Sequence, residues 1–195
     1  MANQQFNPKT LSQVEAQARV LHSAKRIPEA VELLRAVLAA RLEHQGERHF
    51  QTINARSGLA RSLRAIDQYE ECFSLYTENI CIHRDKLGPE HPQTLRSLSR
   101  LANTYFAARR YQDARLMFED ILARRVDVLG RDHQDTLRSR SSLANTLGAL
   151  GQHSQAVVLH QEIIEDRVRV LGSDHPRTEL SRTRLETARQ AVRAG

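Results

Sequence analysis

One spacing dominates the sequence. Thr10, Thr52, Thr94, Thr136 and Thr178 lie 42 residues apart without exception, as do Gly46, Gly88, Gly130 and Gly172. His49, His91, His133 and His175 keep the same interval. A period of this length marks a stacked repeat, in which each unit buries its apolar face only against its neighbours. The spacing divides the 195 residues into units at about 10–51, 52–93, 94–135 and 136–177, with a closing helix at 178–193. No linker or low-complexity tract interrupts them, so the sequence reads as a single array over 1–195.

Each unit holds two helical patterns. In the third, Leu98, Leu101, Ala102 and Tyr105 follow the i, i+3, i+4, i+7 spacing of a first amphipathic helix. After Arg109 and Arg110, a second stripe runs through Ala114, Met117, Phe118, Ile121, Leu122, Val126 and Leu129. Gly130 then stands where a left-handed residue ends a helix. Asp132, His133 and the Thr136 hydroxyl fall where capping groups meet the free amides of the next helix. Pro92 and Pro176 suit a first helical turn, where the missing N–H costs little. With only 8 glycines, 5 prolines and 5% aromatic residues, the composition favours helix throughout.

The repeat resembles the tetratricopeptide repeat in the 42-residue form typical of kinesin light chains and bacterial relatives. The Leu-Ala pair and following large residue appear as Leu59-Ala60 with Leu63, Leu101-Ala102 with Tyr105, and Leu143-Ala144 with Leu147. The small residue of the second helix appears as Ala30, Cys72, Ala114 and Ala156. Unit one departs from the pattern, with Gln17 in place of the leucine and Gln45 before Gly46, as a solvent-facing cap would. The resemblance implies an all-α, right-handed superhelical solenoid of antiparallel helix pairs, and partner binding on the concave face lined by first helices.

Catalytic and metal chemistry find little support. Cys72 and Cys81 form neither a CxxC motif nor a disulfide framework. Cys72 takes an alanine packing position, which predicts a buried, inert thiol. Zinc ligands must converge to about 2.0–2.1 Å from one ion. The repeated histidines are instead displaced by a whole helix pair, so a capping or packing role is expected. Phosphate loops, nucleophile elbows and zincin helices are absent from the sequence. The expectation is a non-enzyme with no cofactor.

Charge narrows the class of partner. Lys plus Arg is 29 against 23 Asp plus Glu, and only Lys9, Lys25 and Lys86 are lysines. A basic, arginine-rich surface favours acidic partners. Counted from the Leu-Ala pair, the resemblance places Asn54, Arg61, Arg96, Ser99, Arg100, Asn103, Arg138, Ser141 and Asn145 on the concave face, with Phe106 near them. Arginine forms bidentate bonds to carboxylates, and asparagine pairs with an extended backbone. An interaction module or adaptor that binds an acidic, extended peptide is therefore expected. A self-association module, or a regulatory array of a larger signalling protein, is the second reading.

Arg124, Arg125, Arg167 and Arg169 interleave with Asp127, Glu165 and Asp166 and are expected to be solvated. Nucleic acid would want a continuous basic track with stacking aromatics, which the sequence lacks. No apolar run approaches a membrane span, and the first residues lack the pattern of a signal peptide. A cytoplasmic protein without membrane contact is expected.

Overall fold

The computed structural model describes residues 7–194, in which there are nine α-helices and no strand. They are α1 (Pro8–Ser23), α2 (Ile27–Gln45), α3 (Phe50–Arg64), α4 (Tyr69–Leu87), α5 (Pro92–Ala107), α6 (Tyr111–Leu129), α7 (Gln134–Ala149), α8 (His153–Leu171) and α9 (Pro176–Ala194). None of the described helices is long and apolar enough to cross a membrane. The helices fall into two compact units, Met1–Leu87 and Gly88–Gly195. In the first, α1 to α4 pack each against the next; in the second, α5 to α9 do the same, and α5 also touches α7. This is the all-α helical-repeat fold that the periodicity predicts. Short connections make successive helices antiparallel neighbours.

The repeat positions explain the packing. Ala30, Cys72, Ala114 and Ala156 are all wholly buried, because a small side chain at this point lets paired helices approach closely. The Cys72 thiol donates to the Ala60 carbonyl at 3.0 Å. Burial pushes its pKa up to about 11, so it is protonated and unreactive at neutral pH. In the first unit, Asn79 replaces an aliphatic core residue and is fully satisfied. Its amide donates to Ile53 O at 3.0 Å and Ser57 Oγ at 2.9 Å, and its carbonyl accepts from Arg56 at 3.0 Å.

Between repeats, the histidines are N-caps. Each Nδ1 accepts the backbone N–H two residues on, from Gln51, Gln93, Asp135 and Arg177, at 3.1–3.3 Å. The threonines differ from expectation. Their hydroxyls are buried and donate backwards, Thr94 to Gly88 O at 2.8 Å and Thr178 to Gly172 O at 3.0 Å, so they close the preceding helix rather than cap the next. Gly130 has positive φ (84°), but its ψ of 163° places it in the mirror-image extended region, open essentially to glycine alone, rather than in the left-handed helical well.

Within repeats, the turn between paired helices needs a left-handed residue. Lys25, Asp67, Arg109 and Gly151 share this register, with φ between 59° and 75°. After α5, Arg109 N–H reaches Phe106 O at 3.1 Å and Arg110 N–H reaches Tyr105 O at 2.9 Å, the two bonds of a Schellman motif.

Candidate functional site

In the second unit the first helices of successive pairs, α5, α7 and α9, line a hollow of about 560 Å³. Arg96, Ser99, Arg100 and Asn103 come from α5; Arg138, Ser141 and Asn145 come from α7. All seven of these sequence-predicted residues line one space. Asn54 and Arg61 lie on α3 in the first unit, and both are exposed. Phe106 does not line the hollow. It packs beside the core cluster around Phe118, with its ring centroid 5.3 Å from that of Tyr111.

The structure adds four arginines that the sequence reading did not place there: Arg125, Arg167, Arg177 and Arg184. Arg125 and Arg167 were expected to be solvated, yet they are 4% and 6% exposed. They share a repeat position on the second helix with the equally buried Arg41. Arg125 reaches over to α7, bonding Asp135 O at 3.1 Å and the Ser139 hydroxyl. Arg167 repeats the arrangement one unit on, bonding Arg177 O at 2.9 Å, the Ser181 hydroxyl, and Ser141 Oγ at 3.0 Å. The readable signal is the pairing of this arginine with a serine 14 residues later, which recurs across units. Asp166, also expected at the surface, is 1% exposed and lies in a cluster with Arg131, Arg140 and Arg169.

Electrostatics in the hollow is one-sided. Seven arginines line it against a single carboxylate, Asp135. Asp135 accepts from Arg138 at 2.8 Å and lies 4.0 Å from Arg96, so two of the expected contact residues already share one counter-charge. Burial holds the Arg125 pKa below its ordinary value; Asp135 opposes this, while Arg96 and Arg138 add to it. Arg167 is shifted down chiefly by burial and then by Arg184 and Arg177. Arg125 Nε is buried with no hydrogen-bond partner among the described residues. Such a site is short of negative charge and of acceptors.

The neutral polar groups divide. Ser99 and Ser141 spend their hydroxyl protons on Leu95 O and Leu137 O, both at 2.9 Å, which leaves Ser99 as an acceptor, while the buried Ser141 oxygen already accepts from Arg167. The Asn103 amide donates to Ser99 O at 2.6 Å. Asn145 makes no hydrogen bond among the described residues, so both faces of its amide are unused in the hollow. No group of three or more His, Cys, Asp or Glu side chains suited to a metal comes together among the described residues.

Comparison with known proteins follows the same line. Tetratricopeptide repeat models match residues 51–125 and 136–177. The crystal structure of a Podosopora anserina putative kinesin light chain with nearly identical TPR-like repeats is 30% identical, with a TM-score of 0.80. The alignment covers 95% of this chain and 88% of that one. Its Q17M variant matches at the same identity and coverage with a TM-score of 0.81. BtubC (BKLC) from P. vanneervenii, 18% identical over 89% of this chain and 69% of its own, shares the fold with a TM-score of 0.73. A search of curated proteins finds no significant match. Repeat pattern, helix pairing and these likenesses agree: the chain belongs to the tetratricopeptide repeat family, in its kinesin-light-chain-like form, and is a scaffold of the protein-interaction kind.

Proposed function

We propose that the chain is a non-enzymatic, cytoplasmic adaptor that holds an acidic, extended peptide segment in the hollow of its second unit. The observation that carries this reading is the imbalance of seven arginines against Asp135 on one concave surface. Arg96, Arg100 and Arg138 meet the peptide's carboxylates from α5 and α7, where planar guanidinium groups offer paired N–H donors. Asn145, and Asn103 through its carbonyl, pair with the peptide backbone, Ser99 accepts from it, and Ser141 lines the contact while bonded to Arg167. Buried Arg125 and Arg167 raise the positive potential from behind without touching the ligand, and their serine bonds hold the helices that carry the contacts. Asn54 and Arg61 occupy the corresponding register on α3 and are assigned the same kind of contact.

A fluorescein-labelled peptide rich in Glu and Asp, titrated with the protein and read by anisotropy, tests the proposal. Binding should weaken as salt rises and fall at least tenfold in the Arg96→Glu/Arg138→Glu double variant, whose exposed positions leave folding intact. Equal binding by that variant, or equal binding of a lysine-rich peptide, refutes it.

A further inference from the structure

Beside the hollow, α7, α8 and α9 leave a second cavity of about 250 Å³. Its origin lies in the repeat register. Phe106, Tyr111 and Phe118 of the third repeat become Gly148, His153 and His160 in the fourth. In the third repeat Phe118 fills the core at 1% exposure, and Phe106 packs on that cluster. In the fourth, one ring is removed outright and two are replaced by imidazoles, while Ala144, Ala156 and Ala188 keep the walls small. A Cβ built on Gly148 meets nothing within 4 Å, so the ring's space stays unfilled.

Polar groups converge on this space without partners. His160 is 4% exposed, lines the cavity and makes no hydrogen bond among the described residues, so its ring N–H is available to a guest. Asn145 and Arg184, which line both this cavity and the hollow, likewise have no hydrogen-bond or ion-pair partner among the described residues. No carboxylate lines the cavity. Burial, helped by Arg184 and Arg167, lowers the His160 pKa to about 4, so at neutral pH its ring carries a single N–H. The cavity thus offers a ring-sized apolar space with donors from an imidazole, an amide and a guanidinium beside it.

We infer that this cavity is a binding site for a small aromatic carboxylic acid, its ring against Ala144, Gly148 and Ala188 and its carboxylate bonded by Arg184, Asn145 and the His160 N–H. The ring takes the space that Phe106 fills one repeat earlier. The carboxylate supplies acceptors to all three polar groups. This inference does not rest on the peptide reading, since its ring space lies on α7, α8 and α9 beside the hollow, although Asn145 and Arg184 line both spaces.

Benzoate is the probe, titrated into the full chain and followed by the imidazole NMR signals of His160 and by calorimetry. Benzoate should bind with a dissociation constant at or below about 1 mM. Acetate, which lacks the ring, and benzyl alcohol, which lacks the charge, should bind at least about tenfold more weakly. His160→Phe restores the third repeat's residue and Gly148→Phe refills its ring; each should abolish benzoate binding while the melting temperature holds or rises. Arg184→Gln should weaken binding about tenfold, the loss expected for one charge-assisted pair. The inference is overturned if benzoate gives no His160 shift by about 10 mM, if acetate or benzyl alcohol binds as well, or if either filled variant folds and still binds. Loss of acidic-peptide binding in the Arg96→Glu/Arg138→Glu variant with benzoate binding retained would separate the two sites.

Discussion

Asp166 of α8 accepts a hydrogen bond from Arg140 of α7 with both side chains buried, joining the two helices through charge. Arg131 and Arg169 approach the same carboxylate from the solvent side, at 3.1 and 2.9 Å. Removing the carboxylate alone leaves a guanidinium buried and unpaired. Asp166→Ala should therefore cost about 3–5 kcal/mol in denaturant unfolding. Replacing both partners, Arg140→Leu with Asp166→Leu, should cost far less than that single change, because no orphan charge remains. A double variant as unstable as Asp166→Ala would show that the pair itself, rather than the stranded charge, dominates.

His160 makes stability depend on pH. Its folded pKa, about 4, lies below the ordinary 6.5, so the unfolded chain binds a proton that the folded chain refuses. The contribution is complete above about pH 6.5 and is lost as pH falls towards 4, amounting to about 3 kcal/mol across that window. Comparing His160→Phe with the parent isolates the effect from the carboxylates that titrate nearby. The difference in unfolding free energy between them should grow steadily from pH 7 to pH 4.5. Parallel curves would mean that the ring is solvated when the protein is folded.

The left-handed turn between paired helices offers a stabilising change. Arg109 sits at φ 60° and is exposed, while Gly151 takes the same place one repeat later without strain. Arg109→Gly removes the Cβ penalty of about 1–2 kcal/mol and pays back part of it as chain entropy. A net gain of about 0.5–1 kcal/mol is expected in thermal or denaturant unfolding. A loss of stability would show that the arginine side chain holds the turn in some other way.

How far these features can be read from sequence depends on whether they repeat. The helix pairs, the buried Ala30, Cys72, Ala114 and Ala156, and the histidine caps all recur at one register, and each is legible because packing enforces a residue type there. Seven of the nine proposed contact residues fall on one hollow because the repeat register fixes which helix face they occupy, although their residue types vary. Arg125 and Arg167 were misread because charged residues on a helix are ordinarily solvated; their burial depends on Ser139 and Ser181, contributed by the following helix. Asp166 looks like its neighbour Glu165 in sequence, and only the position of Arg140 on α7 separates a buried anion from an exposed one. The cavity beside His160 was equally hidden. It arises from residues absent relative to the preceding repeat, and a motif search scores what is present.

Asp135 sets the strength of the hollow for anions. Its carboxylate accepts from Arg138 at 2.8 Å and stands 4.0 Å from Arg96, and an arriving acidic side chain must displace it or tolerate it. Asp135→Asn keeps the shape and the helix position while removing the competing charge. Affinity for a Glu-rich peptide should rise about three- to tenfold, corresponding to about 1 kcal/mol of released competition at an exposed pair, and its salt dependence should steepen. The same change should lower stability by a few tenths to about 1 kcal/mol, since it removes a carboxylate from the first turn of α7 and one that favours the buried Arg125 charge. Opposite signs for binding and stability are the outcome to measure, by anisotropy and by denaturant unfolding on one preparation. A fall in affinity would mean that Asp135 orients Arg96 and Arg138 for the ligand instead of competing with it.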